Sequence, residues 1–158
     1  MKTKHLKAAW LLAASLACAG ACAEVKVEGG WARATVQGQK ATGAFMKLTA
    51  DKALKLVSVS SPAAGVAEIH EMKMEGGVMK MRALPALDLP AQQTVELKPG
   101  GHHLMLMDLK APLMKDGAVS LTLTFRDAAG AETRQQVSLP VSTGMPQGQA
   151  TGHSQHKH

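Results

Sequence analysis

Aromatic side chains are scarce in this chain of 158 residues, which has no tyrosine, two phenylalanines and two tryptophans. Proteins that bind nucleic acids use aromatic rings as stacking platforms and carry strongly basic surfaces. The formal net charge of +6 includes Lys2, Lys4 and Lys7, and without these three the 15 remaining basic side chains face 12 acidic ones, a balance of +3. Neither the aromatic content nor the charge fits such a protein, and we expect no nucleic-acid partner.

Cysteine is confined to Cys18 and Cys22, near the N-terminus. Residues 1–23 have the form of a secretory signal, with a basic start, an apolar run and small residues before the exit. The apolar run over residues 8–17 is too short to span a bilayer as a helix. The sequence therefore predicts a signal peptide cleaved after Ala23, a periplasmic location and no stable membrane insertion after cleavage.

Cleavage at that point leaves a chain of about 135 residues that has no thiol. Disulfides, thiolate zinc sites and blue-copper centres are thereby excluded, because each of them needs cysteine. A lipoprotein acylated on Cys18 or Cys22 is the alternative, although neither cysteine has leucine three positions before it.

Helical periodicity is nearly absent, and short alternating or β-branched runs separated by Gly, Pro, Asp and Ser predict strands instead. These predicted strands are Val25–Val27, Trp31–Thr35, Gly43–Thr49, Ala53–Ser60, Ala67–Met72, Val78–Arg82, Gln93–Leu97, His102–Leu109, Ala118–Arg126 and Glu132–Leu139. So many short strands indicate an all-β fold, a sandwich of two sheets with Greek-key connections. We expect one domain over residues 24–140, a monomer, followed by a disordered tail over 141–158 that is rich in Gly, Gln, Ser and Thr.

Methionine is the outlier in composition, with ten residues of which six lie between Met72 and Met107. In extended strands alternate side chains share a face. His103, Met105 and Met107 would therefore project together, opposite His102 and the leucines. The other cluster runs from His70 to Met81, where Gly76-Gly77 can fold the segment into a hairpin that brings these two residues close.

Imidazole and thioether donors together favour Cu(I), since Mg²⁺ and Ca²⁺ prefer oxygen and Zn²⁺ sites combine thiolate, imidazole and carboxylate. Thioethers also suit an oxidising compartment, because methionine forms no disulfide. Any one methionine could instead be core filling. His102 neighbours a turn, which favours a solvated or hydrogen-bonded histidine over a ligand. The pattern alone does not select a set of four ligands.

The spacing of His70, ten residues, Met81, twenty-one residues, His103, one residue and Met105 resembles the signature of the PCuAC family of periplasmic copper chaperones. The flanking segments His70-Glu71-Met72, Gly77-Val78-Met79-Lys80-Met81-Arg82, residues 97–107 and Trp31-Ala32-Arg33 are also similar to that family.

This resemblance implies a cupredoxin-like β-sandwich that binds Cu(I) through His70, Met81, His103 and Met105. It also implies delivery of copper to the binuclear copper site of cytochrome c oxidase, so the expected partner is a copper-receiving oxidase subunit or another copper chaperone. The tail resembles His-containing extensions that are associated with Cu(II), and a secondary Cu(II) site at His153, His156 and His158 is a further expectation.

Three other functions remain open at this stage. A copper buffer or resistance protein would use the same site without an oxidase recipient. A hydrolase could use His70 and Glu71 with metal-bound water, but a methionine-rich sphere is poor at activating water, and we expect no enzyme. A structural or adhesive sandwich would use its methionines only for packing.

Overall fold

The computed structural model describes residues 24–146, which form ten β-strands. The strands are β1 (Val25–Arg33), β2 (Ala41–Ala50), β3 (Leu54–Ser60), β4 (Ala64–Glu75), β5 (Val78–Leu84), β6 (Leu87–Leu89), β7 (Thr94–Leu97), β8 (His103–Leu109), β9 (Ala118–Arg126) and β10 (Glu132–Ser142). Over this range the structure contains no helix, and hence none that could cross a membrane. The predicted signal peptide and the three tail histidines lie outside the described residues.

Two groups of strands build the domain. In the first sheet β5, β4, β8, β2 and β1 lie side by side, with β7 also paired to β2, and in the second β10, β9, β3 and β6 follow in that order. A short parallel pairing of Ala32 with Val141 joins the two sheets. Consecutive strands such as β2 and β3 lie in different sheets, so the chain crosses repeatedly between them, as in Greek-key sandwiches.

One hydrophobic core holds both sheets together, and alternation along the strands creates it. In β8 the fully buried side chains of Leu104 and Leu106 point into the core, and His103 and Met105 lie on the opposite face. The second sheet contributes side chains such as Leu123 and Phe125. We call the face of the first sheet that is turned away from this core its outer face.

The expected all-β fold is confirmed, with three local differences. The first two predicted strands form one strand, β1, because Gly29-Gly30 makes a bulge between Glu28 and Trp31 and not a turn. The sequence did not predict the three-residue strand β6. The last strand runs to Ser142, and Val141 is buried, so the domain extends past the predicted boundary at residue 140.

Candidate metal site on the outer face of the first sheet

The register of three neighbouring strands places the four predicted ligands on one face. His70 of β4 directly faces His103 of β8. Met72, two residues further along β4, directly faces Met81 of β5. Met105 lies two residues from His103 on β8. Facing residues and alternate residues share a face of a sheet, so all four side chains lie on the outer face.

A hydrogen bond at one ring nitrogen of His103 orients the ring and leaves the lone pair on the other nitrogen. Its Nδ1 lies 3.0 Å from the carbonyl oxygen of Gly101, and because a carbonyl only accepts, Nδ1 carries the proton and donates. The lone pair is therefore on Nε2, which lies 3.3 Å from the sulfur of Met81. Gly101 also accepts a hydrogen bond from the backbone N–H of Met72, which ties the loop before β8 to β4.

His70 has the complementary arrangement. Its Nε2 lies 2.8 Å from a carboxylate oxygen of Glu68, so Nε2–H donates and the lone pair is on Nδ1. Among the buried side-chain nitrogen and oxygen atoms of residues 24–146, only Nδ1 of His70 has no hydrogen-bond partner. Metal-binding histidines usually donate their second nitrogen to a carboxylate or a backbone carbonyl, and here both histidines do so.

The two methionines predicted as ligands differ in exposure. Met81 lies on the outermost strand and is 49% exposed, whereas Met105 is half-buried beside the two histidines, each only 7% exposed. Met105 faces Glu68 of β4 and Gly43 of β2. Solvent therefore reaches the cluster from the β5 side.

An aromatic row borders the cluster on the β2 side. The ring centroids of Trp31 and Phe45 are 4.7 Å apart, and that of Phe45 is 6.3 Å from the imidazole of His103. Gly43 makes room for this row, since a side-chain carbon there would lie 2.7 Å from the Phe45 ring. The Phe45 ring therefore packs beside His103 and contributes to its burial, with Trp31 behind it.

Burial also determines the protonation of His103. Desolvation lowers the pKa of this imidazole below its ordinary value, and electrostatic repulsion from the guanidinium of Arg33 acts in the same direction. The hydrogen bond to Gly101 opposes the shift without reversing it. The neutral form, which is the form that binds a metal, is therefore favoured.

Glu71 and His102 lie on the other side of the sheet. Glu71 is on the face opposite to its neighbour His70, where Arg82 forms an ion pair with it and lowers its pKa. Nε2 of His102 lies 3.5 Å from the same carboxylate, and its side chain is 39% exposed, so His102 stands apart from the cluster. The structure therefore does not bring His70 and Glu71 together as a catalytic pair.

Glu68 is a residue of the site that the sequence reasoning missed. Its position two residues before His70 placed it in the same alternating row, which was the available signal. Across residues 24–146 no group of three or more His, Cys, Asp or Glu side chains is arranged to hold a metal ion. The cluster at His103 instead combines imidazole nitrogen with thioether sulfur.

Comparison with known proteins identifies relatives of this domain. Residues 25–141 match the family described as "Putative lipoprotein LpqE-like". A protein of Leifsonia xyli subsp. xyli named "Putative lipoprotein Lxx21020" is 36% identical over 118 residues, which cover 74% of this chain and 69% of that protein.

Two solved structures show the same fold. The solution structure of the Cu(I) form of DR1885 from Deinococcus radiodurans is 33% identical, covers 80% of this chain and 85% of its own, and superposes with a TM-score of 0.61. The copper-bound PCuAC domain of PmoF2 is 24% identical, covers 76% and 93% of the two chains, and superposes with a TM-score of 0.60. The chain belongs to the LpqE-like family and has the cupredoxin-like β fold of PCuAC domains, as its resemblance to that family predicts.

Proposed function

We propose that this protein binds Cu(I) through His70, Met81, His103 and Met105 and transfers it to another protein in the periplasm. One observation carries the proposal: the unprotonated Nε2 of His103 lies 3.3 Å from the Met81 sulfur, and the ring centroid of His70, whose buried Nδ1 has no hydrogen-bond partner within residues 24–146, is 5.8 Å from that of His103. Two unprotonated ring nitrogens and a thioether on the same face of the sheet form a soft, neutral donor set. That chemistry favours Cu(I) over Mg²⁺, Ca²⁺ and Zn²⁺.

The relatives support copper as the cargo. DR1885, 33% identical to this chain, was solved with Cu(I), and the PmoF2 domain of the same fold was solved with copper. The family and the Leifsonia relative are both described as lipoproteins, which supports export of this protein from the cytoplasm. We extend these properties to this chain as part of the proposal.

Transfer fits the uneven exposure of the ligands. The two imidazoles are buried, but Met81 is half exposed on an edge strand, so an acceptor protein can offer a ligand from that side. One copper–ligand bond then breaks as another forms, with no change in charge or oxidation state. Such exchange needs no catalyst, which is why we propose a metallochaperone and not an enzyme.

The binuclear copper site of cytochrome c oxidase is the recipient that we propose, reached directly or through another chaperone. A periplasmic copper buffer is the second candidate, since it would hold the ion in the same way. The two are distinguished by mixing the Cu(I)-loaded protein with the soluble copper-binding domain of the oxidase subunit. Transfer of copper supports delivery, and retention under conditions where the acceptor can bind copper supports buffering.

The site itself is tested by anaerobic titration against a Cu(I) chelator. The exported protein should bind one tightly held Cu(I), and His70→Ala, Met81→Leu, His103→Ala and Met105→Leu should each lower the affinity at least about tenfold, a loss of about 1.4 kcal/mol. Met107→Leu is the matched control. Met107 lies two residues after Met105 on β8, so it shares the same face of the sheet. Equal affinity in the wild type and in Met81→Leu would contradict the assignment.

A further inference from the structure

Beyond the four assigned ligands, the outer face of the hairpin carries further methionines. Across the pairing of β4 and β5, Met72 faces Met81 and Met74 faces Met79. All four share one face because they alternate along their strands and oppose each other across them. We call this set the methionine ladder, with an inner rung of Met72 and Met81 beside the histidines and an outer rung of Met74 and Met79 beside the turn.

Packing does not explain the outer rung. Met74 is 59% and Met79 44% exposed, and neither belongs to the hydrophobic core that the described residues form. Methionine commonly fills irregular gaps in cores, but a side chain left this exposed gains little from burial. The two sulfur atoms are instead accessible from solvent at the end of the molecule where the hairpin turns.

The other face of the same hairpin is charged. Glu71 pairs there with Arg82, Lys73 faces Lys80, and Glu75 lies 3.5 Å from Lys80. Alternation keeps these groups away from the ladder, so the side chains of both rungs offer only thioether sulfur as donors. Thioether donors without oxygen or charge select Cu(I) among the common metals.

We propose that Met74 and Met79, assisted by Met72, form a second and weaker Cu(I) site, from which the ion passes to Met81 and the histidines. The proposal rests on the proposed function only in taking Cu(I) as the cargo. Directly opposed residues have β-carbons about 4.5–5.5 Å apart, and the flexible methionine side chain can bring both sulfur atoms to one ion. Binding is weaker than at the first site because no imidazole takes part and water competes for the ion.

Passage along the ladder requires side-chain movement only. The two rungs are two residues apart on each strand, which is about 6.6 Å. As the ion moves, the bonds to the Met74 and Met79 sulfurs break while bonds to the Met81 sulfur and to a histidine nitrogen form. Copper stays Cu(I), and no proton is exchanged because thioethers do not titrate. The outer rung thus acts as the position where copper enters or leaves.

The test uses protein labelled with ¹³C at the methionine methyl groups and titrated with Cu(I) under anaerobic conditions. The wild type should bind one equivalent tightly and a second more weakly, and the second should shift the methyl signals of Met72, Met74 and Met79. Met74→Leu/Met79→Leu, which preserves apolar volume but removes sulfur, should keep the first equivalent and lose the second. Met114→Leu is the control, because Met114 is 68% exposed on the loop after β8.

The outcomes separate this proposal from the proposed function. Loss of the second equivalent in the double variant but not in Met114→Leu supports the ladder site. Retention of the second equivalent by the double variant, or a wild type that binds a single ion at the first site, overturns the ladder site alone. A wild type that binds no Cu(I) overturns both proposals.

Discussion

At the scale of single residues, two hydrogen bonds orient the histidines of the proposed copper site. Gly101 fixes the tautomer of His103 and Glu68 fixes that of His70. Each bond places the ring proton on one nitrogen and leaves the lone pair on the other. The imidazoles therefore need no proton rearrangement to bind copper, so these bonds should contribute directly to affinity.

Glu68 offers a direct test of this orientation. Glu68→Ala removes the acceptor for His70 and should lower the Cu(I) affinity about tenfold to a hundredfold, the usual effect of losing such a partner. Glu68→Gln keeps an acceptor oxygen and should lose less, as measured by chelator competition. Glu28→Ala is a surface control, because Glu28 pairs with Lys26 at 2.9 Å. An unchanged affinity in Glu68→Ala would show that His70 needs no orientation.

The protonation of His103 predicts how the metal-free protein responds to acid. Burial lowers the pKa of His103 in the folded state, whereas the unfolded chain protonates near the ordinary value of 6.5. The stability that depends on the neutral ring is thus complete above pH 6.5 and is lost as the pH falls below it. In urea unfolding between pH 8 and pH 5, His103→Gln should lose less stability on acidification than the wild type, and equal losses would contradict this.

At the scale of elements, the hairpin β4–β5 determines where Met81 lies. Its turn residues Gly76 and Gly77 have φ angles of +59° and +79°, the backbone of a type I′ turn. Among residues 24–146, no neighbouring atom lies within 4 Å of a β-carbon added at either position. Any cost of substitution there comes from backbone conformation and not from crowding.

A pair of substitutions isolates that cost. Gly76→Val should destabilise the hairpin by about 1–2 kcal/mol, because a β-branched residue resists positive φ. Hydrogen exchange should then become faster in β5, and Cu(I) affinity should fall, since Met81 loses its fixed position. Gly76→Asn keeps a residue that tolerates this conformation and should behave like the wild type. Similar exchange rates in the two variants would show that the turn does not hold β5 in place.

The alternation of side chains and the turn residues in the sequence predicted the face of β8 and the β4–β5 hairpin. The alternation of His103, Met105 and Met107 against the leucines of β8 was correct, and the Gly76-Gly77 hairpin was predicted from turn chemistry. The pairing of His70 with His103 joins strands 33 positions apart, and no local periodicity specifies such a contact. That juxtaposition was implied by the family resemblance.

Other features escaped prediction for physical reasons. Strand β6 has three residues between Pro85 and Pro90, too few for an alternation to be recognised. Gly29-Gly30 has the composition of a turn, but the pairing of β1 with β2 continues on both sides and makes it a bulge. Glu68 was missed because its role depends on where the His70 ring points, which sequence alone does not determine.

At the scale of the whole molecule, a truncation tests the predicted tail independently of the described domain. Val141 is buried and paired with Ala32, so a truncation must begin after β10. Deleting residues 147–158 should leave the unfolding free energy and Cu(I) affinity unchanged but remove Cu(II) binding that depends on His153, His156 and His158. Isothermal titration with Cu(II) checks this, and full Cu(II) binding by the shortened chain would rule out a tail site.

We propose that two nitrogens and two sulfurs meet at one copper ion, and X-ray absorption of the protein loaded with one equivalent of Cu(I) tests this coordination directly. We expect about two nitrogen and two sulfur neighbours around copper, with the sulfur contribution reduced in Met81→Leu and lost in Met81→Leu/Met105→Leu. A shell of nitrogen and oxygen alone, unaffected by these substitutions, would contradict it.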